Sequence, residues 1–252
     1  MEVIGHRGAA ALAPENTLES ITAAFAAGAD GVEVDVRLTR DGVAVLLHDR
    51  DLSRTTDGTG TVSTIDYAEL RRLDAGYRFS RDGEHPARGR GMVVATLDEA
   101  LTRVPRDRLL ILEVKGSPWE PGHDPTEPAA RAVAAALSAD HDRRVVVSSF
   151  NPLALAVIRD RCPGVATGVL TAPAFDLDSN LAAAVDGGHL ECHVPASIVE
   201  ASFVERAHAA GRKVVAWTVD DPERIRAFAA WGVDGIISDD PGAARDVLSA
   251  GD

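Results

Sequence analysis

The sequence predicts a single (β/α)8 barrel, and three observations carry that expectation. The chain has 252 residues, 45% of them hydrophobic, close to the ~250 residues usual for one such barrel and ample for a substantial core. Short apolar runs alternate with amphipathic stretches and turn residues, the pattern of repeated βα units around a parallel sheet. The runs number eight, which favours a closed barrel over a doubly wound sheet: Val3 to Gly5, Gly31 to Val36, Leu109 to Val114, Arg144 to Ser149, Ala166 to Leu170, His189 to Val194, Lys213 to Val219 and Asp234 to Ser238. Residues 1–252 therefore read as one domain with a small insertion after the second strand.

In chain order, the first run leads straight into His6, Arg7 and Gly8. A helix is expected over Leu18 to Ala26, with Asn16 and Glu19 as its start signal, because an Asn, Thr or Asp side chain accepts from the free amides of a first turn. After the second run, the turn Arg40-Asp41-Gly42 leads into an antiparallel extension over Val43 to Leu47, followed by His48 and Asp49. Residues 51–92 break the alternation. This insertion carries a short helix near Asp66 to Leu73 and a polar, Gly-rich piece from Ser80 to Gly91, and it reads as a cover over the barrel mouth that shapes substrate access. Thr96 with Glu99 starts a helix over Leu97 to Arg103 ahead of the third strand. The remaining helices are expected over Glu127 to Ser138, Pro152 to Arg161, Asn180 to Val185, Ala201 to Ala210, Pro222 to Trp231 and Pro241 to Leu248, with Asp220 and Pro222 marking the start of the seventh. Their Ala-rich faces suit packing on a sheet.

Composition excludes some classes of function. With 26 Lys and Arg against 39 Asp and Glu, the formal net charge is −13, so the surface as a whole repels phosphate backbones and nucleic acid is not an expected partner. On such a surface any anionic ligand must meet a local concentration of positive charge, which a bound cation supplies most directly. Cys162 and Cys192 show no metal-site spacing and are too few for a disulfide framework, so a cytoplasmic location is expected. Met1 to Gly8 reads as a buried strand, without the pattern of a secretory leader, and no membrane insertion is expected.

Active sites of such barrels lie at the C-terminal ends of the strands, and polar residues concentrate there. Glu33 and Asp35, two apart on the second strand, project to one face, and Glu113 and Lys115 repeat the spacing at the end of the third. Should that face be the interior, three carboxylates converge in an apolar core and repel one another unless a counter-charge intervenes. A hard divalent cation resolves this, and oxygen-only ligands favour Mg2+ or Ca2+, with Mn2+ a further candidate, over zinc. Outward carboxylates paired with helix Lys or Arg are disfavoured, since both faces of a barrel strand are covered. His6 and His48, each at a strand end, suit acid and base work, each role worth ~10²–10⁴-fold in rate. His189, Glu191 and His193 share a face of the sixth strand but span ~13 Å at ~3.3 Å per residue, too far to close on one ion; only His193 is expected to line the pocket. His85, His123, His141 and His208 read as solvated.

Taken in order, His6-Arg7-Gly8, Pro14-Glu15-Asn16-Thr17, the stretch from Gly31 through Thr39 and His48-Asp49 resemble the N-terminal signature of glycerophosphodiester phosphodiesterases of the bacterial, cytoplasmic type. Arg54-Thr55-Thr56, Glu113-Val114-Lys115, Ser148-Ser149-Phe150, Trp217-Thr218-Val219 and Gly235 to Asp239 extend the resemblance over nearly the whole chain. It implies metal ligation by Glu33, Asp35 and Glu113, acid and base roles for His6 and His48, and a grip on phosphate by Arg7 and Lys115. Trp217 would pack against the glycerol or the leaving alcohol. The chain departs from the family in Val94-Ala95, where an Ile-Pro pair is common, and in the Arg- and Gly-rich stretch from Arg81 to Gly91; both bear on substrate preference. The expected activity is metal-dependent hydrolysis of a small glycerophosphodiester to an alcohol and sn-glycerol 3-phosphate, by a monomer or homodimer, in glycerol and phospholipid metabolism. Two rivals stand beside it: a related barrel phosphodiesterase acting on lysophospholipids or inositol phospholipids, which would need an apolar rim, and a silent barrel that only binds a phosphorylated ligand.

Overall fold

The computed structural model describes residues 1–138 and 143–250. Eight parallel strands form a closed barrel, each followed by a helix in the α/β alternation that the apolar runs foretold. The strands are β1 (Glu2–Gly5), β2 (Gly31–Leu38), β4 (Leu109–Val114), β5 (Val145–Ser149), β6 (Ala166–Leu170), β7 (Glu191–Pro195), β8 (Lys213–Trp217) and β9 (Gly235–Ser238). Closure is direct: β1 pairs in parallel with β2 on one side and β9 on the other. The extra strand β3 (Ala44–Leu46) returns antiparallel along the end of β2, with Val36 opposite Leu46 and Leu38 opposite Ala44.

Side-chain alternation sorts the barrel into layers. Outward residues Val32, Val34, Leu110 and Leu112 pack against Ala24 of α1 (Leu18–Ala26), Ala100 of α3 (Leu97–Arg103) and Ala134 of α4 (Pro128–Ser138). Across the barrel, Val194, Val214 and Ile236 meet Phe203 of α7 (Ala201–Ala209) and Phe228 of α8 (Pro222–Trp231). Small helix residues on one half and aromatics on the other keep both shells filled. Inside, Ile4, Leu109, Ile111, Val146, Val215 and Ile237 plug the lower barrel. The residues one step further along the same inward rows are polar, and they form the site.

Residues 51–92 have their own small core. Leu52, Val62, Leu70 and Ala75 pack with Val45 and Val94, around a short helix α2 (Tyr67–Leu70). This is shorter than the helix expected near Asp66 to Leu73. Arg40 ties the piece to the β2–β3 hairpin through Asp66, at 2.8 and 2.7 Å.

Three start signals differ from the sequence expectation. The cap of α1 is Thr17 with Ser20, a reciprocal pair, and not Asn16 with Glu19; Asn16 sits at φ 58 and is turned toward Asp35. The cap of α8 is Asp221, which accepts from the Glu223 and Arg224 amides, while Asp220 accepts from Ser238 Oγ and the Asp239 amide at the end of β9. The helix expected from Asn180 begins earlier, as α6 (Leu177–Asp186), because Asp176 caps the amides of Asp178 and Ser179. Thr96 with Glu99 forms the expected reciprocal cap, and α5 (Pro152–Arg161) and α9 (Pro241–Ser249) start at their prolines. The sixth barrel strand runs from Glu191 rather than His189; His189 stops short of it and pairs with Thr167 Oγ1 at 2.8 Å.

Candidate active site

The β1–α1 loop turns sharply because Arg7 and Gly8 both adopt positive φ, 50 and 88°. A Cβ on Gly8 would lie 2.3 Å from Ser20 Oγ, so only glycine lets the loop settle on α1. The turn leaves the Arg7 amide donating to Glu33 Oε2 at 3.0 Å and sets His6 at the mouth.

Glu33, Asp35 and Glu113 all face inward, 4, 1 and 9% exposed. One oxygen from each lies within 4.8 Å of the others. Among the described residues no other His, Cys, Asp and Glu group meets that condition. The Asp35 carboxylate is the best satisfied: Asn16 Nδ2 donates at 2.7 Å, Lys115 Nζ lies at 2.8 Å and Arg7 Nε at 3.5 Å. Burial pushes Asp35 up, yet Lys115, Arg7 and His48 hold it well below the usual carboxylate range. Glu33 forms no ion pair with Lys115 or Arg7, and His6 lowers it only in part. Burial first, then the Asp35 charge, pushes it up to about 8, and its Oε1 is buried without a partner.

That orphaned oxygen, beside two more carboxylates and no soft ligand, fits a hard divalent cation. Lys115 donates to both Glu113 and Asp35. With Arg7 already shared with Glu15 at 2.7 Å, Lys115 alone does not neutralise the cluster when all three carboxylates are ionised.

His6 and His48 flank the cluster, both lining one cavity of about 220 Å³ with Glu33, Glu113, Lys115 and Trp217. Each has one ring nitrogen fixed from behind. His6 Nδ1 meets Asp239 Oδ1 at 2.6 Å, and His48 Nδ1 meets Asp49 Oδ1 at 2.6 Å. Their protonation diverges. Burial draws His6 down, but the Asp239 bond and the Glu33 charge raise it overall; burial, aided by Lys115 and Arg7, lowers His48 despite Asp35 and Asp49.

On the far wall, Trp217 meets Phe150 edge to face, centroids 6.0 Å apart, and His193 faces the same cavity. Every residue singled out for the site thus reaches it, although Arg7 is engaged by carboxylates. Of the histidines expected to be solvated, His123 is instead largely enclosed beside Glu127 at 3.3 Å, whereas His208 is exposed as expected while pairing with Asp234 at 2.9 Å. His85 is exposed, and His141 lies outside the described residues. Sequence reasoning did not find the roles of Asn16, Glu15, Asp49 and Asp239, although all four fall inside quoted signature segments.

Residues 51–92 do not reach the lining of the catalytic cavity. They act beside it: Arg54 grips Glu15 at 2.7 Å through both terminal nitrogens and also bonds Asp49. No helix among the described residues is long and apolar enough to cross a membrane.

Comparison with known proteins agrees with this geometry. The chain is 34% identical over 241 residues to a glycerophosphodiester phosphodiesterase of Caldanaerobacter subterraneus, covering 95% of this chain and 94% of that one. It is 30% identical to one of Bacillus altitudinis, covering 96% of each. A phosphodiesterase of Oleispira antarctica, solved in complex with the product sn-glycerol-3-phosphate, superposes with a TM-score of 0.86 at 31% identity, over 99% of this chain and 97% of that one. The sequence profile of the glycerophosphoryl diester phosphodiesterase family matches residues 6–243, and the chain belongs to that family.

Proposed function

We propose that this enzyme hydrolyses glycerophosphodiesters to an alcohol and sn-glycerol 3-phosphate with the help of one divalent cation held by Glu33, Asp35 and Glu113. The observation that carries the reading is the convergence of those carboxylates with His6, His48 and Lys115 on one cavity. Oxygen-only donors favour Mg2+ or Ca2+, with Mn2+ next. When bound, the cation supplies positive charge against the charge growing on the phosphoryl oxygens.

The chain's own residues supply the rest. Lys115 Nζ, at the lip of the cluster, donates to a phosphoryl oxygen, and Arg7 adds positive charge beside it. His48, held low and with Nδ1 on Asp49, presents a bare Nε2 that takes a proton from the attacking water, whose oxygen joins the phosphorus as the bond to the alcohol oxygen breaks. His6, held high by Asp239, keeps its Nε2 proton and gives it to the departing alkoxide. Residues 51–92 act indirectly, through Arg54 on Glu15 and Asp49.

The test is release of glycerol 3-phosphate from glycerophosphocholine, stripped by EDTA and restored with Mg2+, Ca2+ and Mn2+ in turn. No turnover with any of them across a panel of phosphodiesters would leave the silent-barrel reading. A lysophospholipid substrate is favoured by one specific observation: an apolar cavity of about 500 Å³ shares Phe150 and Leu170 with the catalytic cavity and opens beside exposed Trp119 and Phe175. Faster turnover of lysophosphatidylcholine than of glycerophosphocholine would select that reading. Free, buried Cys162 and Cys192 support a cytoplasmic site of action.

A further inference from the structure

A groove of about 500 Å³ runs between α5 and α6, over the outward face of β6. Leu155 and Ala156 of α5, Val169 of β6 and Ala183 of α6 give it apolar walls. Alanine at 156 and 183 keeps it open, since helices pack into contact wherever their side chains reach. Apolar atoms facing such a space forfeit dispersion contacts on one side, so the groove favours an apolar occupant.

Phe150 and Leu170, at the ends of β5 and β6, line both the groove and the catalytic cavity. At the same end stand Trp119 and Phe175, 74 and 56% exposed, large apolar side chains without cover. From there the groove follows the ten residues of α6 to Gly187 and His189, ~15 Å at ~1.5 Å per residue. Among the described residues that line it, Asn180 Oδ1 is the buried side-chain atom left without a partner. Asn180 lies on the first turn of α6, its amide donating to the Asp176 carbonyl at 3.2 Å. The polar demand therefore falls at the end next to the catalytic cavity, and the stretch beyond it, by Leu155, Ala156 and Ala183, is apolar. A polar head in the catalytic cavity with one hydrocarbon chain along the groove matches that order.

We infer that the α5–α6 groove takes the hydrocarbon chain of single-chain glycerophosphodiesters, and that Ala156 and Ala183 set how long a chain it admits. The groove adds affinity for the chain while the carboxylates, histidines and Lys115 act on the phosphodiester as before. This rests on the proposed hydrolysis and deepens it into a rule of chain length: turnover rises with each methylene the groove covers and levels off once the groove is full.

The experiment measures kcat/KM for 1-acyl glycerophosphocholines from hexanoyl to palmitoyl, each kept below the concentration at which it forms micelles. Each value is divided by that of glycerophosphocholine on the same protein, so that a general loss of activity cancels. In wild type the ratio should rise by up to about threefold per methylene and then level off. Ala156→Phe and Ala183→Phe fill the groove from either helix; both alanines are exposed, so the larger side chains leave the core in place. In each variant the plateau should move to chains several carbons shorter, and the ratio for palmitoyl should fall by ~10-fold or more. A wild-type ratio that does not rise with chain length, or a series unchanged in both variants, overturns the inference and leaves glycerophosphocholine hydrolysis standing. Should none of these compounds be turned over, the proposed hydrolysis fails instead, and the same series is read by calorimetric binding to wild type and both variants, with the same outcomes for the groove.

Discussion

At the residue scale, the site is governed by which partner stands behind each ionisable group. His6 and His48 are chemically identical, yet the Asp239 bond and Glu33 raise one while burial, Lys115 and Arg7 lower the other, and that divergence underlies the proposal of His6 as acid and His48 as base. Asp239→Asn removes the charge that keeps the His6 proton in place. Its pKa falls, the acid is lost earlier as pH rises, and the alkaline limb of kcat/KM should move to lower pH; an unmoved limb would take the acid role from His6. Glu33 has the opposite sign from a paired carboxylate. Its folded value of about 8 lies above the unfolded 4.5, so without metal the folded state binds the extra proton and loses stability as pH rises through that window. Glu33→Gln should therefore raise the melting temperature in EDTA at pH 8 by a few degrees, ~1–3 kcal/mol, and cut activity with metal by ~10²-fold or more. Equal melting curves for variant and wild type in EDTA would show that the Glu33 charge is not a burden. The i, i+2 spacing made Glu33, Asp35, Glu113 and Lys115 legible in the sequence, because alternation is local. Asp239 stands 233 residues from His6, and nothing in the chain announces that the two meet.

At the element scale, the β1–α1 loop is the part on which most site geometry depends. Its helix starts at Thr17, and the Ser20 hydroxyl donates back to the Arg7 carbonyl at 2.8 Å, so the cap and the site turn are one structure. Thr17→Ala should cost about 1 kcal/mol of stability and lower kcat as the Arg7 turn loosens; a stability loss with kcat untouched would separate the two. The inserted residues reach the same loop from outside. Arg54→Ala releases Glu15 and Asp49 together, and because the bridge is partly exposed it should cost less than about 1 kcal/mol, while kcat/KM falls by several-fold. Strand and helix periods were readable, since each is a repeating local pattern; the early start of α6 was not, since it depends on Asp176 outcompeting Asn180 as the first polar side chain to reach free amides. The bracing role of Arg54 was hidden for a further reason. It joins Glu15 across 39 residues, and although both segments carry the resemblance, neither says that the other is its partner.

At the scale of the whole molecule, a net charge of −13 surrounds a pocket whose task is to capture an anion. The long-range field and the local one have opposite sign, and ionic strength separates them, because the Debye length falls to about 10 Å at 0.1 M salt. Distant surface carboxylates are screened first, whereas Lys115, Arg7 and the proposed cation, buried beside the catalytic cavity, are screened least. Glycerophosphoglycerol is an anion and glycerophosphocholine a zwitterion without net charge, so only the first feels the outer field strongly. Raising salt from 10 to ~150 mM should therefore increase kcat/KM for glycerophosphoglycerol relative to glycerophosphocholine by several-fold, through the rate of capture rather than the chemical step. The opposite trend, with the anion losing ground as salt is added, would mean that positive charge at the barrel mouth already dominates the approach and that the acidic surface has no part in choosing the substrate.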